Sequence, residues 1–380
     1  MIMLALYLHW PFCASKCPYC DFNSHVRNTI DLDQWRTAFI KELRRHHELI
    51  GPKTISSIFF GGGTPSLMPP ALVNDILSEI NSLWDVPAHI EITLEANPNS
   101  VEVDNFKALA QAGINRVSLG IQSFNPDDLK FLGRLHSVDE GRRAIETAQS
   151  CFKRVSFDLI YARPNQTLEQ WESELKDALS YGTEHLSLYQ LTIEPGTAFA
   201  TRHARGDFIL PNEDLAADLY EMTTNLCVEQ GLISYEVSNY AKLGCESQHN
   251  LAYWRYQDYA GIGPGAHGRL TLNGQGHATK QFRAPETWLT NCIDHSNGFD
   301  EDHLLTAREQ ASEMLLMGLR LNQPFNLKRL PCSAKEVLDF NAIDRLVKSE
   351  MMVYDGNNLM ATPQGRLCLN EILRLIRRPE

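Results

Sequence analysis

No apolar run in the 380 residues approaches the ~20 that a membrane-spanning helix requires. The apolar start, Met1-Ile2-Met3-Leu4-Ala5-Leu6-Tyr7-Leu8, is short, carries no basic leader and soon meets Pro11. It reads as a buried strand rather than an export signal. A basic excess is missing too: 35 Lys and Arg stand against 47 Asp and Glu, a formal net charge of -12. Nucleic-acid binding therefore has no global electrostatic support and no nucleic-acid partner is expected. The glycine runs lack a Gly-Lys-Ser/Thr ending, which argues against a nucleoside triphosphate loop. No second cysteine pair accompanies the N-terminal group, as a structural zinc site would need. The nine cysteines are odd in number. With no export signal, disulfides are not expected and a reducing, cytoplasmic setting is. There is no internal repeat and no low-complexity tract.

What is present is an ordinary globular composition, 43% hydrophobic and 22% charged, long enough for two or three domains. Strand-like runs at 4–9, 55–60, 90–95, 116–121, 155–161 and 185–191 alternate with helical patterns at 33–48, 70–83, 101–112, 138–148 and 167–179. Such alternation builds a parallel sheet with helices outside, here an α/β partial (β/α)6 barrel. A barrel of this kind places reactive groups at the C-terminal ends of its strands. A helix is expected over 212–230 and a strand over 233–240. We divide the chain into a barrel, residues 1–240; a connecting region, 241–300, whose stretch 245–276 reads as long ordered loops or short strands; and a mainly helical, winged-helix-like C-terminal domain, 301–380. That last domain has helical patterns at 306–319, 333–349 and 364–378 and two short strands around Asp355-Gly356-Asn357-Asn358, a good hairpin turn.

Cys13, Cys17 and Cys20 form a C-x3-C-x2-C run. Three thiolates on one loop can hold three irons of a 4Fe-4S cluster and leave the fourth open for chemistry, whereas four would close it into an electron carrier. Asp21 or His9 could complete a zinc site, but neither stands at a usual zinc spacing. Polar residues recur at the expected strand ends. The strand 55–60 runs into Gly61-Gly62-Gly63-Thr64, whose glycines permit positive φ and close ligand approach. Glu95 ends the next strand before a proline turn, and Gln122 ends the one after it. Arg134 offers a planar fork matched to a carboxylate. Asp158 lies inside an otherwise apolar strand, where a ribose diol or an interior salt bridge would satisfy it.

Together these segments resemble the oxygen-independent coproporphyrinogen III oxidase family of radical S-adenosylmethionine (SAM) proteins. The strings that carry the resemblance are Tyr7-x-His9-x-Pro11-Phe12-Cys13, the glycine run to Ser66, Gly120-Ile121-Gln122-Ser123-Phe124, Leu132-Gly133-Arg134-x-His136 and Tyr235-Glu236-Val237-Ser238-Asn239-Tyr240. The resemblance implies a 4Fe-4S cluster on Cys13, Cys17 and Cys20. It implies SAM contacts at Tyr7, Tyr19, Gly62, Gly63, Thr64, Glu95, Gln122, Arg134 and Asp158, and a further one at Thr192. Phe22 stands where the oxidase has a fourth cysteine, and only twelve residues precede Cys13. The string His249-Asn250-Leu251-Ala252-Tyr253-Trp254 instead marks the heme-chaperone branch of that family. It implies heme contact at His249, with Tyr253, Trp254, Tyr256 and Tyr259 as flat faces.

The implied function is a chaperone that binds heme and transfers it to acceptor heme proteins of the respiratory chain, with an exchangeable SAM on the open iron. The implied partners are heme, those acceptors and an electron donor. The setting is cytoplasmic, and transient contact with the inner membrane surface and a homodimer are compatible with it. The alternative is the oxidase itself, decarboxylating coproporphyrinogen III through a 5′-deoxyadenosyl radical. A methyltransferase is a third class, for which Cys245 near the heme string keeps the question open.

Overall fold

The computed structural model describes residues 3–378. Six parallel strands follow one another in sequence and in space: β1 (Met3–Trp10), β2 (Thr54–Gly62), β3 (Glu91–Ala96), β4 (Arg116–Gln122), β5 (Arg154–Tyr161) and β6 (His185–Gln190). The helices α1 (Leu32–Ile50), α2 (Pro70–Leu83), α3 (Phe106–Gln111), α4 (Val138–Cys151) and α5 (Leu168–Ser180) link them. This is the expected partial (β/α)6 barrel. One expected helix is divided. Over 101–112 the chain forms Ser100–Asp104 and then α3, because the Asn105 N–H turns back to Glu102 and Val103 carbonyls. Capping boxes start α4 (Ser137 with Glu140) and α5 (Thr167 with Gln170), satisfying N–H groups that have no partner within the helix.

The period of two along each strand sorts the side chains. Leu6, Leu8, Ile58, Phe60, Leu94, Leu119 and Phe157 are buried in one apolar core. The alternate positions, among them Tyr7, Ser57, Glu91, Glu95, Arg116, Ser118 and Asp158, are polar and look into the barrel.

The sheet does not close. After α6 (Glu213–Glu229), the hairpin β7 (Ile233–Ser234) and β8 (Asn239–Ala241) extends it antiparallel beyond β6. On its other edge β9 (Asp258–Ile262) lies parallel to β1. The antiparallel strands β10 (His267–Leu272), β11 (Gln275–Gln281) and β12 (Phe299–Leu304) follow it. The stretch expected as loops or short strands therefore completes a twelve-stranded sheet in the order β12-β11-β10-β9-β1-β2-β3-β4-β5-β6-β8-β7. It also holds two helices, α7 (Gln248–Trp254) and α8 (Pro285–His295). Helix α8 packs on α1 through Trp288 stacked on Trp35, ring centroids 5.4 Å apart.

Helix α7 closes the base of the barrel. Glu91, at the start of β3, accepts the N–H groups of Gln248 at 2.9 Å and His249 at 3.3 Å through one carboxylate oxygen. Its other oxygen faces Arg154 at 2.5 Å.

The C-terminal helices α9 (Ala307–Gly318), α10 (Phe340–Lys348) and α11 (Leu369–Ile376) surround a small antiparallel sheet of β13 (Phe325–Asn326), β14 (Met352–Tyr354) and β15 (Asn358–Ala361). They share a separate core around Leu315, Phe325, Leu338, Ile343, Leu359 and Ile376. The expected hairpin turn is made by Asp355, whose carboxylate accepts from Asn357 N–H at 2.9 Å and Asn358 N–H at 2.7 Å, with Gly356 at φ 94°. Among the described residues no helix is long and apolar enough to cross a membrane.

Candidate functional site

The cysteine loop leaves the end of β1 and is tied at both ends. Phe12–Cys13 pairs with His25–Val26, and His25 N–H reaches the Pro11 carbonyl at 2.7 Å. All three cysteines are free and half-buried. The Thr64 hydroxyl donates to Cys13 Sγ at 3.3 Å, and Arg134 Nη1 donates to Cys17 Sγ at 3.3 Å. Burial raises the Cys13 thiol above its ordinary value, and the Thr64 hydroxyl aimed at the sulfur works against that rise.

The glycine run lies against this loop. Gly63 N–H bonds to the Trp10 carbonyl at 2.7 Å and Thr64 N–H to the Phe12 carbonyl at 2.8 Å. Gly62 has φ 109°, and a Cβ on it would meet the His9 ring at 2.4 Å. A Cβ on Gly63 would meet the Phe12 carbonyl oxygen at 2.6 Å, so only glycine permits this approach.

The strand-end polar residues form one connected set. Glu95 Oε2 accepts from Gly62 N–H at 3.2 Å. Asn97 donates to the Thr64 hydroxyl at 3.0 Å and accepts from Arg134, which also donates to the Gly120 carbonyl at 2.8 Å. Ser118 donates to Asp158 at 3.2 Å. Burial, reinforced by the Asp158 charge, pushes the Glu95 carboxyl up to about 8. Burial raises Asp158 to about 6. Arg134 has no carboxylate within ion-pair distance among the described residues, and its Nε is buried without a hydrogen-bond partner, which leaves that edge of the guanidinium for an acidic ligand.

Cys13, Cys17, Cys20, Tyr19, Gly62, Gly63, Thr64, Glu95, Gln122, Arg134, Asp158 and Thr192 all line a single cavity of about 1330 Å³ at the C-terminal ends of the strands. Its far wall is built by the C-terminal domain through Arg320, Arg366 and Asn370. Tyr7 is placed elsewhere. Its hydroxyl bonds to His9 Nδ1 at 3.1 Å, and its ring lines a smaller cleft of about 400 Å³.

His249 lines neither the cavity nor the cleft. Its ring is 1% exposed and stacked on Phe59 at 4.9 Å. Nδ1 bonds to the Ser57 hydroxyl at 2.9 Å and Nε2 to the Tyr253 hydroxyl at 2.7 Å. Both ring nitrogens are thus engaged, and the ring ties α7 to β2 inside the barrel. Trp254, Tyr256 and Tyr259 do line the smaller cleft, together with Tyr253. Two further residues contribute, of which Phe22 entered the sequence reading only as the residue in place of a fourth cysteine. Asn97, which links Thr64 to Arg134, was legible only as the second residue after Glu95. Phe22, 57% exposed, lies on the wall shared by cavity and cleft.

The residues fit the implied cofactors. Among the described residues no three His, Cys, Asp or Glu side chains converge as they would on a single ion. Three thiolates spaced along a loop suit a multi-iron cluster, whose irons occupy separate corners. The Gln122 side-chain oxygen is buried without a hydrogen-bond partner, at a residue held at φ 69°. It awaits a donor of the kind a ligand ammonium or ribose hydroxyl provides. Cys13, Cys17 and Cys20 would hold the cluster; Arg134, Glu95, Asp158 and Gln122 would hold SAM. When bound, the pair would supply one-electron cleavage of the SAM sulfonium.

Comparison with known proteins agrees. Residues 7–178 match the Radical SAM superfamily and residues 305–368 the HemN C-terminal domain. The chain is 37% identical over 388 residues to the heme chaperone HemW of Haemophilus influenzae, covering 98% of this chain and 97% of that protein. It is 33% identical to the mitochondrial radical S-adenosyl methionine domain-containing protein 1 of Danio rerio, covering 98% and 86%. Among solved structures, coproporphyrinogen III oxidase (HemN) from Escherichia coli superposes with a TM-score of 0.82 at 21% identity, covering 98% of this chain and 89% of that one, which shows a shared fold. Conserved over nearly the whole length at this level of identity, the chain belongs to the HemW family of radical SAM proteins, within the wider coproporphyrinogen III oxidase-like group.

Proposed function

We propose that this protein binds heme and delivers it to acceptor heme proteins of the respiratory chain, with a 4Fe-4S cluster on Cys13, Cys17 and Cys20 and SAM exchanging on its open iron. Relatives named heme chaperones support the reading. The observation that carries it is Phe22. It stands where the resembled oxidase has a further cysteine, and its exposed ring joins the cavity lined by the cluster cysteines to an aromatic cleft. An apolar face there suits a flat apolar ligand; a thiol would suit a further bond to metal.

In this reading the chain's own residues bind and orient. Arg134, held by Asn97 and Gly120, receives the SAM carboxylate. Glu95 and Asp158 receive its ammonium and ribose, with release of the proton that burial keeps on Glu95. The reduced cluster draws on an electron donor. The delivery step needs only contact with the acceptor, made transiently at a membrane surface.

The test is anaerobic cluster reconstitution followed by parallel incubations with SAM and reductant, one with coproporphyrinogen III and one with heme plus an apo-cytochrome. Heme in the cytochrome with coproporphyrinogen untouched is expected. Protoporphyrinogen formation would sink the proposal and establish an oxidase.

A further inference from the structure

Two of the three loop cysteines, Cys13 and Cys17, receive hydrogen bonds from one connected set of side chains, and that set ends on Glu102, a buried carboxylate. We propose that Glu102, acting through Asn97, is a positioning residue for the cluster: it fixes the donors on Cys13 and Cys17 and thereby raises the cluster's reduction potential. The inference rests on the cluster proposed for Cys13, Cys17 and Cys20.

The anchor gives the first argument. Glu102 is 0% exposed, and among the described residues it has no cation within ion-pair distance. Neutral donors meet it instead. Oε2 accepts from the Asn97 N–H at 2.7 Å and from the Ser66 hydroxyl, and Oε1 accepts from the Asn99 side-chain amide. Burial raises its pKa, and these donors work against the rise. A carboxyl so deeply buried is costly unless its oxygens are satisfied. Glu102 thereby ties the segment after β2, at Ser66, to the segment after β3, at Asn97 and Asn99.

The second argument is the direction of each proton. Arginine only donates, and an amide has one accepting and one donating end. Arg134 Nη2 faces Asn97 Oδ1, so the amide turns its Nδ2 to the Thr64 hydroxyl at 3.0 Å. That hydroxyl has one proton. With Asn97 donating to its oxygen, the proton goes to Cys13 Sγ, 3.3 Å away. The same guanidinium sends Nη1 to Cys17 Sγ at 3.3 Å. Each bond sets the sense of the next, and bonds in such a chain polarise one another.

The third argument is electrostatic. Reduction adds one electron from the donor and makes the cluster more negative. Hydrogen bonds to the cysteine sulfurs favour that state and are among the levers that set the potential. Asn97 touches no sulfur itself; its amide decides where the Thr64 proton points and where the Arg134 fork stands.

The test is a redox titration of the reconstituted full-length protein with dithionite and mediators, without SAM, read by electron paramagnetic resonance. Iron and acid-labile sulfide are measured on each sample. Thr64→Val and Asn97→Ala should load fully and reduce at a lower potential. At the native midpoint their ratio of oxidised to reduced cluster should rise about tenfold, equal to about 59 mV for one electron. Glu102→Ala should shift the same way. Combined with Asn97→Ala it should shift no further than Asn97→Ala alone, since the two residues act in series. Glu102→Gln keeps an oxygen for the Asn97 N–H and should restore most of the native potential. Loaded Thr64→Val and Asn97→Ala proteins with the native potential overturn the proposal, and they decide it even where Glu102→Ala fails to fold. A loaded Glu102→Ala protein with the native potential overturns the role of Glu102. A native chain that takes up no cluster overturns the cluster reading and this inference with it.

Discussion

The Ser57 hydroxyl lies 2.9 Å from Nδ1 of His249, joining the middle of β2 to the helix that closes the barrel base. The contact is entirely buried, and the Tyr253 hydroxyl satisfies the other nitrogen at 2.7 Å. His249→Ala removes both bonds and leaves a void in the lumen, a loss of about 2–4 kcal/mol in unfolding free energy by denaturant titration. Cluster content should stay near native. A fully stable His249→Ala protein would mean that α7 is held by other contacts.

The same ring makes a pH prediction. Burial lowers its pKa to about 3, below the ordinary 6.5, so the folded protein binds fewer protons than the unfolded chain between those values. Stability rises with pH through that window and is lost as pH falls from about 6.5 toward 3. Unfolding midpoints measured across the window should show a shallower acid slope for His249→Gln.

Glu95 behaves in the opposite sense. Its folded pKa is raised to about 8 from the ordinary 4.5, so its contribution to stability falls as pH climbs between those values. A bound SAM ammonium would favour the carboxylate. SAM affinity should therefore increase with pH between about 6 and 8, by up to about tenfold per unit where one proton is released. Calorimetry in two buffers of different ionisation enthalpy reads that proton directly. Flat affinity, or the same slope in Glu95→Gln, would remove Glu95 from the ammonium site.

Asn97 contacts both Thr64 and Arg134, and so links the glycine run to the arginine fork. Asn97→Ala should weaken SAM binding by about 1–3 kcal/mol, roughly ten- to a hundredfold, through a mispositioned Arg134. Iron content should not change. Native SAM affinity in this variant would mean that Arg134 needs no such support.

Replacing Cys13, Cys17 or Cys20 singly by Ser should abolish cluster loading, measured as iron and acid-labile sulfide. Cys245→Ser should load fully, since Cys245 lies outside the cavity lining. Partial loading in the loop variants would point to a replacement ligand, with Asp21 the nearest in sequence.

The barrel was legible because its strands alternate strictly. Apolar Leu6 and Leu8 face the helices while Tyr7 and His9 look inward, and turn signals follow each strand. The cavity residues followed from one topological rule, that reactive groups gather at strand ends. Tyr7 obeys the spacing but lies one layer below the cavity, on the cleft side, which no linear pattern reports. Residues 241–300 were harder to read. Helix α7 spans only Gln248–Trp254, too short for a hydrophobic period, and its histidine looks alike on paper whether it faces a ligand or Ser57. The parallel pairing of β9 with β1 joins segments some 250 residues apart, and pairing of that range leaves no local trace.

Glu91 anchors α7 across the foot of the barrel, and the lumen above it is thereby a vessel floored at that end. Traffic in such a vessel obeys the order of a stack. Whatever rests deepest, against Asp158 and Ser118, enters before anything seated at the rim and departs after it.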